Sequence, residues 1–196
     1  MTDELLERWL EGVLVTPGLT GLKDIVEARR VLLEDALRAR PLIEGTSGAI
    51  VDVGSGGGSP GIPLAVAFPQ RSITLLEAER RKCAFLRKIA AELPNVEVMW
   101  GRAEEQPTDV FGVALAKALA KPHVAAELCL PLVRTGGIAI LWTGEAASAA
   151  QVATVAERMA ALLQDASAGL FVLRKLGPTP AGFPRRAGMA KKRPLV

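Results

Sequence analysis

The segment Val51-Asp52-Val53-Gly54-Ser55-Gly56-Gly57-Gly58-Ser59-Pro60-Gly61-Ile62-Pro63 limits the possible folds of this chain more than any other. The apolar run at residues 49–53 stops at it. Residues 60–68 then read as a helix opened by proline in its first turn, where the missing N–H leaves no helical hydrogen bond unmade. Five glycines fall in the eight positions from Gly54 to Gly61, far more than a tight strand–helix turn needs if it binds nothing. Glycine permits positive φ and close approach of the backbone to a ligand. In a doubly wound sheet, such a turn lies where ligands cross the carboxyl ends of the strands.

The surrounding pattern fits that sheet. Strands are expected at residues 49–53, 72–76, 96–100, 113–116, 137–142 and 170–176, with the second ending at Glu77. Helices are expected between them at 60–68, 79–93, 124–133 and 145–163, the last with a short strand at its end. Alternating strands and helices with continuous apolar strands mean a mostly parallel sheet covered on both faces. Residues 1–44 read as a helical extension. Leu5, Leu6, Trp9 and Leu10 fall at helical spacing, and a second amphipathic run from Ile25 to Leu37 follows the Pro17-Gly18 break and stops at Pro41. At 196 residues, the chain is expected to form one domain: the helical extension, a core over 49–176, and an extended arm over 177–196.

Two ligand classes compete for the glycine loop. Gly56, Gly58 and Gly61 match the G-x-G-x-x-G of dinucleotide enzymes, but a loop this rich in glycine matches it easily. Asp52, Gly54, Gly56 and Gly58 match the acid-x-Gly-x-Gly-x-Gly of S-adenosylmethionine-dependent methyltransferases. Glu77 ends the next strand, where a carboxylate can accept hydrogen bonds from both ribose hydroxyls; it suits either ligand.

Charge is unevenly spread. The formal net charge is +3, yet residues 171–196 hold seven bases (Arg174, Lys175, Arg185, Arg186, Lys191, Lys192, Arg193) and no acid. The other 170 residues carry 17 bases against 21 acids, so an acidic body bears a +7 tail. Such a tail reads either as a contact for nucleic acid or another anionic surface, or as a solvated run that aids solubility. Cys83 and Cys129 are too few and too far apart for a disulfide scaffold or zinc site and are expected to pack; no metal is expected. His123 reads as a helix-capping or surface residue. The acidic start and the absence of a long apolar run argue against a secretory leader or membrane span, so a cytoplasmic monomer is expected.

Three stretches, VDVGSGGGSPGIPL from Val51, LLEAERRKCAFL from Leu75 and GRAEE from Gly101, resemble the bacterial small-subunit ribosomal RNA guanine-N7 methyltransferases, formerly called glucose-inhibited division protein B. Phe183-Pro184-Arg185-Arg186-Ala187-Gly188, followed by Lys191-Lys192-Arg193-Pro194-Leu195, is similar to the basic C-terminal signature of many members. The resemblance implies a Rossmann-like class I methyltransferase fold, S-adenosyl-L-methionine as cofactor and small-subunit ribosomal RNA as partner. It implies a cofactor site lined by Asp52, Gly54, Gly56, Gly58, Ser59, Glu77, Ala103, Glu104 and Lys117, with Ala103 and Glu104 beside the adenine. Lys117 and Arg102 are the implied catalytic cations, and Arg185, Arg186, Lys191, Lys192 and Arg193 the RNA contacts. The chain departs from the family pattern at three places. Lys117 stands for the usual arginine, Gly112 for an aspartate and Thr143 for a lysine. The family's Arg-His and Asp-Ser pairs are also missing from Arg29-Arg30-Val31-Leu32-Leu33-Glu34-Asp35-Ala36. These departures keep open a paralogue with another substrate, or a relative that binds RNA without turnover. Trp100 and Trp142, at strand ends on the ligand side, are candidates for stacking on a base.

Overall fold

The computed structural model describes residues 2–144 and 147–196. Its seven-stranded sheet has the order β3-β2-β1-β4-β5-β7-β6. The strands are β1 (Ile50–Val53), β2 (Ile73–Glu77), β3 (Val96–Trp100), β4 (Phe111–Ala116), β5 (Val133–Trp142), β6 (Ala161–Ser167) and β7 (Leu170–Lys175). The first five are parallel, and β7 runs antiparallel to both neighbours. All residues of β1, β2 and β4 are buried, which is why they read as continuous apolar runs.

Side chains alternate between two cores, as the pleat requires. Val113, Leu115, Ile138 and Ile140 face one. Ala114, Ala116, Ala139 and Leu141 face the other. The first core is covered by α1 (Thr2–Val15), α2 (Ile25–Ala28), a π-helical stretch (Arg29–Glu34), α3 (Asp35–Leu37), α4 (Arg40–Glu44), α5 (Gly61–Ala67) and α6 (Arg80–Ala90). The second is covered by α7 (Pro122–Cys129), α8 (Ala149–Arg158) and the C-terminal segment with its short helix α9 (Met189–Lys192).

Four local expectations are revised. Pro41 does not end the N-terminal helices; it sits in the first turn of α4, where its ring is tolerated. The short strand expected at the end of the 145–163 helix is longer and runs beyond 163: the chain turns at Ala160, which has φ of +51°, and continues as β6. Most of β6 is exposed and carries Gln164, Asp165 and Ser167, so it lacks an apolar strand signal; Ala168 and Gly169, both at positive φ, close the hairpin with β7. The start of the expected helix at Glu145 lies outside the described residues. His123 is buried near the start of α7 rather than exposed. The C-terminal segment is no loose arm, because Ala190 is buried in the second core and Phe183 and Leu195 pack against it.

Gly112 also acquires a reason. A Cβ there would stand 1.8 Å from the Ser47 carbonyl oxygen, so the chain crossing before β1 leaves no room for a side chain at the start of β4. Gly112→Ala is expected to cost about 2–3 kcal/mol, since backbone must move to relieve the overlap. Urea unfolding followed by circular dichroism measures it, and a loss under 0.5 kcal/mol would contradict the contact.

Candidate functional site

The glycine loop is pinned at its base and at its tip. At the base, Asp52 Oδ2 accepts from the Gly61 N–H at 3.0 Å. This approach needs glycine: a Cβ on Gly61 would lie 2.3 Å from Leu75 Cδ2 and 2.7 Å from Asp52 Oδ2. At the tip, Glu77 Oε2 accepts from the Gly56 N–H at 2.8 Å, while Oε1 accepts from the Glu79 N–H at 2.8 Å. Between these clamps Gly54, Gly56 and Gly58 take φ of +72°, +57° and +104°, the left-handed region that side chains resist. From below, the buried Trp9 indole donates to the Gly57 carbonyl at 2.7 Å, tying α1 to the loop.

The loop borders a cavity of about 730 Å³ at the carboxyl ends of β1, β2, β3 and β4. That is within the size range of small-molecule and cofactor sites, roughly 300–1,000 Å³. Gly54, Gly56, Ser59, Glu77, Ala103, Glu104, Arg102 and Lys117 all line it. The structure therefore brings together eight of the residues singled out from the sequence for cofactor binding or catalysis.

Two others stand apart. Asp52 is buried and does not line the cavity; its carboxylate is turned to the start of α5. Burial pushes its pKa up to about 7, against the lowering effect of the Gly61 hydrogen bond. Gly58 is also absent from the wall and packs instead toward Ile62, Trp9 and Leu86. Both shape the loop rather than face its ligand.

The expected cations are also partly committed. Lys117 Nζ donates to the Val31 carbonyl at 2.9 Å and lies 3.4 Å from Asp35 Oδ2. It is a bolt between the end of β4 and the π-helical stretch. The Ser59 hydroxyl makes a parallel contact, donating to the Leu32 carbonyl at 2.7 Å. Arg185, expected on RNA, instead forms a two-pronged ion pair with the buried Glu127, at 2.6 and 2.7 Å. Such a forked pair is geometrically specific and strong. Of the seven tail bases, Lys175 is fully buried, with its ammonium among Asp109, Leu130 and Thr179. Burial holds its pKa below the usual lysine range, against the raising effect of Asp109. Arg186, Lys191, Lys192 and Arg193 remain exposed. The indole N–H groups of Trp100 and Trp142 donate to the carbonyls of Ala78 and Asp35, and the Arg80 guanidinium covers the Trp100 ring at 4.2 Å.

Two walls were not foreseen. Trp9, Val13, Leu19, Thr20, Leu22, Val31 and Leu32 close the cavity from the N-terminal side, and Gly188 and Lys191 from the C-terminal side. Helical periodicity marks Trp9 as buried, but it carries no sign of what lies beyond the buried face.

Comparison with known proteins points the same way. The family model described as rRNA small subunit methyltransferase G matches residues 4–171. A ribosomal RNA small subunit methyltransferase G of Synechococcus elongatus is 37% identical over 199 residues, spanning 91% of this chain and 82% of that protein. One from Rubrobacter xylanophilus is 35% identical over 201 residues, spanning 91% and 74%. Among solved structures, TYW2 of M. jannaschii in complex with AdoMet superposes with a TM-score of 0.55 at 17% identity, over 71% of each chain. The T. thermophilus 16S rRNA N2 G1207 methyltransferase gives 0.51 at 14%, over 76% of this chain and 40% of that one. These two share the fold.

The Asp52 carboxyl makes stability depend on pH. Its folded pKa, about 7, lies above the unfolded value of 3.8, so its contribution is full below pH 4 and is lost as pH rises through 7. Asp52→Asn keeps an acceptor for the Gly61 N–H but cannot ionise. Relative to this variant, the native chain is expected to lose a few kcal/mol between pH 4 and pH 8. Parallel pH–stability curves for the two proteins would rule this out.

Proposed function

The chain belongs to the rRNA small subunit methyltransferase G family, and we propose that it moves a methyl group from S-adenosylmethionine to N7 of a guanine in small-subunit ribosomal RNA. The observation that carries this reading is the cavity at the clamped glycine loop, edged by Glu77 and by Ala103 and Glu104, in a chain of this family. Bound S-adenosylmethionine supplies a methyl on a sulfonium, which the lone pair of guanine N7 can accept without losing a proton. N7 carries no hydrogen, so no general base is needed.

What the chain must do is bind and align. Glu77 has one oxygen on the Gly56 amide and one on the Glu79 amide, and the remaining lone pairs of each can accept from the ribose hydroxyls of the cofactor. Gly54, Gly56 and Ser59 offer a wall without bulky side chains. Ala103 and Glu104 border the adenine. Alignment of donor and acceptor can supply roughly 7–11 kcal/mol of the barrier as avoided entropy. Lys117 serves this by holding the π-helical stretch against the end of β4. Its role is positional, which a lysine can fill as a single point donor where a forked arginine is not required. Arg102 lines the cavity and is exposed, and so is a cation open to the incoming RNA. Of the dinucleotide match only Gly56 lines the cavity: Gly58 packs toward Ile62, Trp9 and Leu86, and Gly61 is buried beneath Asp52 and Leu75.

RNA is held mainly by Arg186, Lys191, Lys192 and Arg193. Four phosphate contacts give a log–log salt slope of about 3 in RNA affinity, against about 5 or more if all seven tail bases took part. Filter binding across a salt series separates the two. Calorimetry should show S-adenosylhomocysteine binding and no NAD binding. Small ribosomal subunits lacking the modification should yield labelled 7-methylguanine when incubated with the protein and methyl-labelled cofactor. Cofactor binding without label in repeated assays would favour a relative that binds RNA without turnover. Lys117→Ala is expected to lower kcat/KM about 10- to 100-fold.

A further inference from the structure

The C-terminal segment rises along the whole height of the sheet. Because β7 is antiparallel, the chain leaves it at Lys175, at the amino ends of the parallel strands. Three contacts then mark its path. The Thr179 amide and hydroxyl donate to the Asp109 carboxylate, just before β4. Arg185 grips Glu127 on α7. The Gly188 N–H donates to Glu104 Oε1 at 2.8 Å, at the opposite edge of the sheet. One residue before Lys191, Ala190 is buried in the second core. Lys191 itself reaches the cavity wall, as does Gly188.

We infer that residues 185–191 are a clasped strap that forms the adenine-side wall of the cofactor cavity, with Lys191 a binding residue and Arg185 and Glu127 its positioning pair. This rests on the methyltransferase reading, and it joins two jobs that charge alone assigns to separate parts of the chain. The strap acts in two ways. Gly188 fixes the carboxylate of Glu104, which would otherwise be a free acid on an exposed turn. The ion pair at Arg185 sets the height at which Lys191 meets the cavity. Glu127 is 4% exposed, so its charge is costly without a partner, and the clasp has a strong preference for the closed arrangement. An ordinary solvated tail has no such anchor. Lys191 and its neighbours Lys192 and Arg193 also carry the free positive charge, so phosphate contacts made there bear directly on a cavity wall.

The test uses the full chain and S-adenosylhomocysteine as probe. Lys191→Ala changes an exposed side chain and leaves the fold intact; it is expected to weaken calorimetric binding about fivefold. Arg185→Gln is expected to weaken it tenfold or more, and Arg185→Lys, which restores one of the two hydrogen bonds, to recover part of the loss. In the native protein, the probe is expected to slow hydrogen exchange at amides 186–192. If the native chain binds the probe, but Lys191→Ala stays within twofold and those amides show no added protection, the strap is not part of the site. If Arg185→Gln unfolds, Lys191→Ala and the exchange data decide alone. If the native chain fails to bind the probe at all, it is the methyltransferase reading that falls.

Discussion

The hydrogen bond from the Gly61 amide to Asp52 is the contact on which the rest of the architecture depends. It joins the end of β1 to the start of α5 across a loop that has almost no side chains to hold it. With the base closed, the loop tip reaches the edge of β2, and Glu77 can take the Gly56 amide. A glycine-rich loop would otherwise sample many backbone states, and ordering each residue costs roughly 1–2 kcal/mol. Two carboxylates and one indole oppose that cost, and all three use backbone groups of the loop as partners. The price is a buried acid whose pKa is raised to about 7, so that its neutral form is favoured only below that pH.

Much of this was legible in the sequence. Strands β1, β2 and β4 are buried on both faces and so have a continuous apolar signal; the loop announces itself by its glycines. The cavity edge at Glu77 follows from its place at the end of β2, and those at Ala103 and Glu104 from the resemblance carried by the Gly101–Glu105 stretch. What the sequence could not show is direction. Asp52 has the right type and position for a ligand contact, yet its carboxylate turns inward because Gly61 offers an amide at bonding distance and no Cβ to obstruct it. Lys117 likewise has the right position, but its ammonium meets the Val31 carbonyl, 86 positions earlier, and the Asp35 carboxylate. Edge strand β6 was legible only as a short strand at the end of a helix, because most of it meets solvent and its polar residues resemble those of a helix end.

The C-terminal bases give the same lesson about charge. A count treats all seven alike, whereas the fold divides them. Lys175 is sealed among oxygens at the lower edge of the sheet, and Arg185 neutralises a buried acid on α7. Both serve the fold, as does Arg174, tied to Gln164 and the Gly136 carbonyl, and what remains for a polyanion is Arg186, Lys191, Lys192 and Arg193, with Lys191 on the cavity wall. Position rather than number makes the remaining charges useful there.

The π-helical stretch at Arg29–Glu34 also sets a register. Each π turn holds one residue more than the i→i+4 ladder would close. Deleting a single residue there would let the ladder run as continuous α-helix and change which carbonyls the stretch turns toward the cavity. The carbonyls of Val31 and Leu32 would swing away from Lys117 and Ser59. In this chain the length of the N-terminal helices, counted in whole residues, is therefore as much a determinant of the cavity as any side chain in its wall.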